Sequence, residues 1–495
     1  MAAPSAPRSS RSTALQRVSR DLWKVLAVIA VLAILLLRTD LAYSHSKPTP
    51  AEDSESTAIR GRSRVLSGSA GESEPAVVEY TAQAQTAELR CPAQRQSFSQ
   101  SVQEGSKGLK DAPPVSPDEC AAALHLPKLA LLFLTVGSLP HDKLWSDWFA
   151  SAKGLVPRDY LEAARCEAQE ASPDALTELN QVCQSEPGTP ILDRQHLFSV
   201  HVHTSPTHAG FGADSVFHGR EIAARTETGW GKFGLTQALI NLLAAGLEDP
   251  LNQQLLMLSE SCVPLYPPAV VYSQIMHEEK SRINACAKEG WNLNDYRWSE
   301  AMETPRMKKV HFRKNWTRFG LLRTHAETVL ADTEVATSFR NHCHNDEYHC
   351  LPDEHYFSTV LAVNGLENQT DCDGNIIAED WHWAKDGSFP SHPRAFQPKE
   401  IDGQLVADLR QTMAGRFEES LQSPTCFPGQ AVVAAESSMA DASRSTLPVL
   451  GPEQSAYSDK ALNSACPLFA RKFPAASAAA VQKVLRRELR LMPPS

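Results

Sequence analysis

Between residues 129 and 258, short apolar runs alternate with a stretch in which leucines recur at helical spacing. The runs at 129–136, 197–202 and 254–258 are typical of buried strands, and the apolar residues from 233 to 247 follow the period of a helix. Strands that alternate with helices predict an α/β domain with a mostly parallel central sheet. Ligands bind such sheets beyond the carboxyl ends of the strands, so we expect a site near Val136, Gly137, His203 and residues 259–262.

The N-terminus pairs basic residues with an uninterrupted apolar run from Val25 to Leu37. No small-residue cleavage site follows the run cleanly, which favours an uncleaved signal-anchor over a removed signal peptide. Flanking residues extend the run towards the length of a membrane span, and the preceding arginines keep that end cytosolic. We therefore predict a cytosolic tail at 1–21 and a transmembrane helix at 22–43, with the rest of the chain in the lumen.

The remaining chain divides by composition. Residues 44–126 are rich in Ser, Ala, Glu, Gln and Pro, which predicts a disordered stem. The globular domain is placed at 127–475, with a loop or disordered insert at 431–460, and a C-terminal helix and tail follow at 476–495. The formal net charge of −10 argues against nucleic acid as a partner.

Two features favour a luminal address. Asn315 and Asn368 begin glycosylation triplets, and the eleven cysteines are dispersed as expected for disulfides in an oxidising compartment. Because eleven is odd, at least one thiol is free or intermolecular, which leaves a disulfide-linked dimer open.

Histidines and cysteines crowd residues 342–355 and raise the alternative of a zinc site. No spacing in this segment matches a structural zinc template, and luminal cysteines favour disulfides. Asp371 and Asp373 form an Asp-x-Asp triplet, but it follows a sequon in a turn rather than a strand. We therefore predict no metal.

Several aromatic and cationic residues are candidates for sugar and phosphate binding. We predict that Trp230 and Trp291 pack in the core, whereas Trp381 and Trp383, in a polar context, could stack on a sugar. The candidates for neutralising a diphosphate are cations in short aromatic contexts: Arg394, Arg471 and Lys472. From the residues alone, exposed surface charge is the competing interpretation of these cations.

The segment Cys350–Tyr356 sets Asp353 and Glu354 on the predicted first turn of a helix after Pro352. Acidic residues are favoured there because they complement the positive end of the helix. A carboxylate in that position could also abstract a proton, and the local sequence does not decide between the two roles.

Taken in order, these motifs resemble a known family from about Pro127 to Phe473. The blocks that carry the resemblance are Pro127-Lys128 with the following strand, Trp230-Gly231, Leu258-Ser-Glu-Ser-Cys-Val-Pro-Leu265, Phe312-Arg-Lys-Asn-Trp316, Pro352-Asp-Glu-His-Tyr356, His392-Pro-Arg394 and Phe469-Ala-Arg-Lys-Phe473. The family is the core-2/I-branching glycosyltransferases, family 14, and the chain is more similar to its plant-type branch.

The resemblance implies a GT-A-like fold and a Golgi type II membrane enzyme that uses a UDP-sugar and inverts the anomeric centre. It implies that Glu354 is the general base and that Arg394 and Lys472, helped by Arg471, stabilise the UDP leaving group without a metal or other cofactor.

By the same resemblance, the acceptor site includes Trp381 and Trp383, and the Arg313-Lys314 block is assigned to it as well. Two departures are present. His203 stands where animal members place an Asp near the uracil, and the block at 313–316 is shorter than the plant-type Arg-Lys-Gly-Ser-Gln-Trp.

The expected function is transfer of a sugar, with N-acetylglucosamine as the first candidate, from a UDP-sugar to a hydroxyl of a glycan or glycoprotein. The alternatives are glucuronosyl or xylosyl transfer, or a catalytically silent sugar-binding protein on the same fold.

Overall fold

The computed structural model describes residues 118–172, 174–184, 189–287, 295–344, 349–372, 376–381, 392–411, 449–450 and 466–492. The strands are β1 (Lys128–Leu134), β2 (Val156–Pro157), β3 (Phe198–His203), β4 (Asn252–Ser259), β5 (Val263–Pro264), β6 (Gly320–Leu322), β7 (Ile377–Glu379), β8 (Val449–Leu450) and β9 (Phe469–Arg471). The α-helices are α1 (Glu119–Ala123), α2 (Asp142–Ala150), α3 (Arg158–Ala171), α4 (Ala175–Val182), α5 (Phe233–Leu247), α6 (Pro268–Met276), α7 (Arg323–Ala331), α8 (Glu334–His342), α9 (Pro352–Val363), α10 (Gly403–Gln411) and α11 (Ala478–Glu488).

The predicted tail, the membrane helix and most of the stem and insert lie outside these residues. Within the described part of the chain, no helix is long and apolar enough to cross a membrane.

The central sheet has the strand order β3-β1-β4-β6. β1 pairs in parallel with β3 and β4, and β6 runs antiparallel to β4. Alternate residues of β1 enter two separate hydrophobic cores: Leu129, Leu131 and Phe133 face one, and Ala130 and Leu132 the other. Both faces of the strand are therefore covered, which explains its continuous apolar sequence. The α/β class with a parallel-rich sheet is confirmed.

Helix α5 crosses from β3 to β4 and packs closely on one face of the sheet. A Cβ atom at Gly246 would lie 2.9 Å from Leu255 Cδ2 and 3.2 Å from Leu132 Cδ2. The absence of a side chain at this position lets the helix approach the sheet and sets the spacing between the two layers.

A smaller sheet of order β5-β9-β7 lies beyond the end of β4. β5 starts four residues after β4 ends, and β9 pairs with β5 and with β7. Glu379 is opposite Arg471 in the β7–β9 register. This sheet brings the C-terminal part of the chain to the carboxyl edge of the central sheet, where the ligand site was expected.

The folded domain begins earlier than predicted. Helix α1 lies in residues assigned to the stem, yet Cys120 and Ala121 are buried in the core, and Cys120 is bonded to Cys183. The composition of a five-residue helix could not reveal this packing. Trp230 was also predicted wrongly: it is 67% exposed rather than buried, and Trp291 lies outside the described residues.

The described cysteines are mainly in disulfides, as predicted. The pairs are Cys120–Cys183, Cys286–Cys372 and Cys343–Cys350. Cys262 is a free thiol, but it is fully buried, and burial raises its pKa. A surface cross-link through Cys262 would require local unfolding, so this residue does not support the disulfide-linked dimer.

Candidate functional site

Helix α9 presents Glu354 in its first turn. The helix starts at Pro352, whose fixed φ favours that position, and the Cys343–Cys350 disulfide anchors the chain just before it. Glu354 Oε2 lies 3.0 Å from Arg297 Nη1 and 3.7 Å from Lys314 Nζ. The carboxylate is thus held between two cations while its side chain keeps 22% exposure.

The buried ring of His355 supports Arg297, one of the two cations beside Glu354. Its ring is fully buried, stacks on Phe312 at 4.4 Å, and lies 2.7 Å from the Arg313 carbonyl through Nδ1. Arg297 approaches Nε2 at 3.5 Å. Burial lowers the pKa of His355 to about 3, so the ring is neutral at physiological pH and serves as a fixed support.

Asp353 precedes Glu354 in the first turn of the helix. Burial, followed by the negative charge of Glu354, raises the pKa of Asp353 to about 7. The N-cap residue Leu351 offers no side-chain hydrogen bond to the first turn, and the Asp353 carboxylate accepts one from its own backbone amide. Near neutral pH it exchanges a proton beside the candidate base.

Arg313 and Lys314, both predicted to bind the acceptor, have different environments. Arg313 is buried, and its guanidinium donates to the carbonyls of Ala285 and Phe312 and forms an ion pair with Glu367. It is therefore a structural residue rather than an exposed acceptor contact. Lys314 lies beside Glu354 and 5.0 Å above the Trp316 ring.

An aromatic pair adjoins Lys314. Trp316 stacks on Trp381 with ring centroids 5.5 Å apart, and Trp381 Nε1 donates to Glu379 Oε2 at 2.9 Å. Trp383, the predicted partner of Trp381, lies outside the described residues. Trp316 contacts Trp381 across 65 positions of the chain, so no local pattern could have revealed the stack.

Glu379 links the aromatic pair to the first predicted phosphate-binding cation. Its Oε1 accepts from Arg471 Nη1 at 2.7 Å, and both side chains are buried. A continuous path of contacts therefore runs from Glu354 through Lys314, Trp316 and Trp381 to Glu379 and on to Arg471.

The other two predicted cations lie in adjoining backbone. Arg394 is 46% exposed, pairs with Asp380 at 3.0 Å and with Glu400, and lies over Phe396. The Phe396 amide donates to the Lys472 carbonyl at 3.0 Å, which joins the two blocks. Among the described residues, no carboxylate lies within ion-pair distance of the Lys472 ammonium group.

Sequence reasoning missed Arg318. It precedes β6, opposite the carboxyl end of β4, because the Phe319 carbonyl accepts from the Met257 amide at 2.9 Å. The residue is partly exposed, whereas burial of the guanidinium lowers its pKa, so we place Arg318 in a recess rather than on open surface. We call Arg297, Lys314, Arg318, Asp353 and Glu354 the base recess.

A second group, the strand-end loops, comprises Val136, Gly137, His203, Thr204 and Arg225 at the ends of β1 and β3. The Ser205 amide donates to the Val136 carbonyl at 3.1 Å, and Arg225 donates to Thr204 Oγ1 at 3.1 Å. Val136 is 73% exposed and accessible to a ligand. His203, in contrast, is fully buried, accepts from the Thr226 amide through Nε2 at 2.9 Å, and has its pKa lowered by burial.

The two glycosylation candidates also differ. Asn368 is exposed, whereas Asn315 is buried, accepts from the Asn284 amide at 2.8 Å and donates to the Trp316 carbonyl. A glycan on Asn315 would have to displace these contacts. In the described ranges, no three His, Cys, Asp or Glu side chains cluster as a metal site.

The fold and these contacts define an α/β domain with a charged, aromatic-lined recess at the carboxyl edge of its sheet, where ligands of such folds bind. Residues 191–410 match the family model of the Core-2/I-Branching enzyme. This match agrees with the predicted resemblance over that segment.

A curated relative agrees with the family model. Glycosyltransferase BC10 from Oryza sativa subsp. japonica is 30% identical over 208 residues, which cover 36% of this chain and 49% of the rice protein. The chain therefore spans about half the length of this relative. Residues 191–410 contain the base recess and Arg394, whereas β1, Arg471 and Lys472 lie outside them.

Proposed function

We propose that this chain is an inverting glycosyltransferase that moves a sugar from a UDP-sugar to a hydroxyl of a glycan. The continuous contacts from Glu354 to Arg471 support the proposal, because they join the candidate base, two stacked aromatic rings and a candidate cation for the diphosphate. The name of the rice relative supports the reaction class. N-acetylglucosamine is the first candidate for the sugar, with xylose and glucuronic acid as alternatives.

In this mechanism Glu354 removes the proton from the acceptor hydroxyl. The oxygen attacks the anomeric carbon from the face opposite UDP, the bond between that carbon and the phosphate oxygen breaks, and UDP leaves with the electron pair. Base catalysis of this kind contributes roughly 10²- to 10⁴-fold. Arg297 and Lys314 fix the carboxylate, and the Trp316–Trp381 stack offers the acceptor sugar an apolar face.

Arg394, Arg471 and Lys472 would stabilise the negative charge that develops on the departing UDP. We propose that they do so without a metal. Transfer should therefore persist in EDTA, whereas activity that collapses in EDTA and returns with manganese would revive a metal-dependent mechanism.

We further propose a type II protein of the Golgi membrane with a luminal catalytic domain. The basic and apolar N-terminus supports this location, as do the disulfides of the described domain.

Replacement of Glu354 tests the base assignment. Glu354→Gln keeps the shape of the side chain but removes its ability to accept a proton, so transfer should fall at least 10²-fold while UDP binding stays within about twofold. The matched control is Glu327→Gln, an exposed substitution on α7 that alters the ion pair of Glu327 with Arg323. This variant should behave as wild type. Wild-type turnover by Glu354→Gln would remove Glu354 from the base role.

A catalytically silent sugar-binding protein is the competing function. It predicts that UDP-sugars raise the melting temperature of the wild-type chain but that none is hydrolysed or transferred.

A further inference from the structure

The described cations of the site fall into two groups according to their partners. Arg297 and Lys314 lie against Glu354, Arg471 pairs with Glu379, and Arg394 pairs with two carboxylates. In each case a protein carboxylate already offsets the positive charge. Such cations add less to the binding of an anion than an unpaired cation does.

Arg318 belongs to the other group. Its only hydrogen bond to a side chain among the described residues is to the hydroxyl of the adjacent Thr317, and no carboxylate of the described part of the chain lies within ion-pair distance. A guanidinium carries five N–H donors, so most of this hydrogen-bonding capacity is not used by the described residues. Lys472 also has no carboxylate partner there.

The position of Arg318 places it between the two halves of the site. It interacts electrostatically with Asp353 on the side of the base, and with Arg471, Glu379 and Glu260 on the other side. The adjacent strand β6 pairs with β4, so Arg318 lies at the carboxyl edge of the central sheet. Arg318 is only partly buried as a residue.

We propose that Arg318 binds the diphosphate of the sugar donor, as a forked donor to phosphate oxygens. This inference rests on the proposed function. Each phosphate of a nucleotide sugar carries a negative charge, and the terminal phosphate gains another when its bond to the sugar breaks. Arg318 and Lys472 form no ion pair with a described carboxylate, and Arg318 adds the planar geometry that matches phosphate.

Calorimetric titration of the purified full-length chain with uridine, UDP and inorganic pyrophosphate tests the proposal. Arg318→Gln should weaken binding of UDP and pyrophosphate roughly 10- to 100-fold and leave uridine unchanged, because hydrogen bonds to charged groups have about that effect. Arg318→Lys, which keeps the charge without the fork, should lose less. Arg487→Gln, an exposed arginine of α11, is the control and should match wild type.

Four results would overturn the proposal. In the first, a folded Arg318→Gln or Arg318→Lys variant binds UDP and pyrophosphate with an affinity within twofold of wild type. In the second, the variant loses as much affinity for uridine as for UDP. The third is a wild-type chain that binds neither UDP nor pyrophosphate. A loss seen only with UDP-glucuronate, and not with UDP, would also overturn it, because Arg318 would then bind the sugar carboxylate.

Thermal unfolding of each variant confirms that it is folded. The outcome is separate from the proposed function: a wild-type chain that binds UDP through Arg318 but transfers no sugar would refute the transferase and keep this inference.

Discussion

The base recess and the strand-end loops lie at ends of strands in the same central sheet, but they are built from different interactions. The base recess concentrates charge: Glu354 lies between two cations, and Asp353 has a pKa of about 7. The strand-end loops are held by backbone hydrogen bonds and by the buried ring of His203, whose pKa is lowered. The base recess is suited to proton transfer and charge stabilisation, whereas the strand-end loops present the exposed Val136 to a ligand.

The two regions also differ in how pH affects their contribution to the stability of the fold. A carboxyl group with a raised pKa loses its stabilising contribution as pH rises, whereas a histidine with a lowered pKa loses it as pH falls. The two regions should therefore respond to pH in opposite directions.

The largest effect is expected where the charged network is most buried. Glu379→Gln leaves the buried Arg471 charge without its partner and should lower the free energy of unfolding by about 3 kcal/mol, measured by urea denaturation. The double variant with Arg471→Gln should lose less than the two single variants together. Trp381→Phe removes the hydrogen bond to Glu379, which should cost about 1 kcal/mol, and also reduces the ring contact with Trp316. Additive losses in the double variant would contradict a coupled pair.

An intermediate effect is expected at Asp353. Its folded pKa of about 7 exceeds the unfolded value of about 3.9, so the folded chain retains a proton that the unfolded chain releases between these values. Wild-type stability should fall across that range relative to Asp353→Asn, by about 2 kcal/mol after allowance for partial solvent screening. If the free energy of unfolding changes equally with pH in the two proteins from about pH 4 to 7, Asp353 ionises normally.

The smallest effect is expected in the strand-end loops. The folded pKa of His203 lies below the unfolded value of about 6.5, so its contribution is present above that pH and is lost as pH falls below it. His203→Gln keeps an acceptor for the Thr226 amide and should lack this loss. Denaturation at about pH 7.5 and 5.5 should show wild type losing more stability than the variant as pH falls. An equal loss of stability in the two proteins would show that His203 does not contribute to this pH dependence.

The sequence was sufficient for elements whose signal is local. The apolar runs predicted β1, β3 and β4, and Pro352 with two acidic residues predicted the start of α9. The Glu379–Arg471 pair depends on the β7–β9 register, and the Trp316–Trp381 stack joins two distant segments. Arg313 and Lys314 are adjacent in sequence but have opposite surroundings, which only tertiary packing decides.

The most direct test of the central claim is release of UDP from a panel of UDP-sugars by the purified full-length chain. The account predicts that at least one UDP-sugar is consumed, that EDTA does not prevent this, and that transfer to a glycan acceptor is lost in Glu354→Gln. A chain that releases UDP from none of them would contradict the claim that it is a glycosyltransferase.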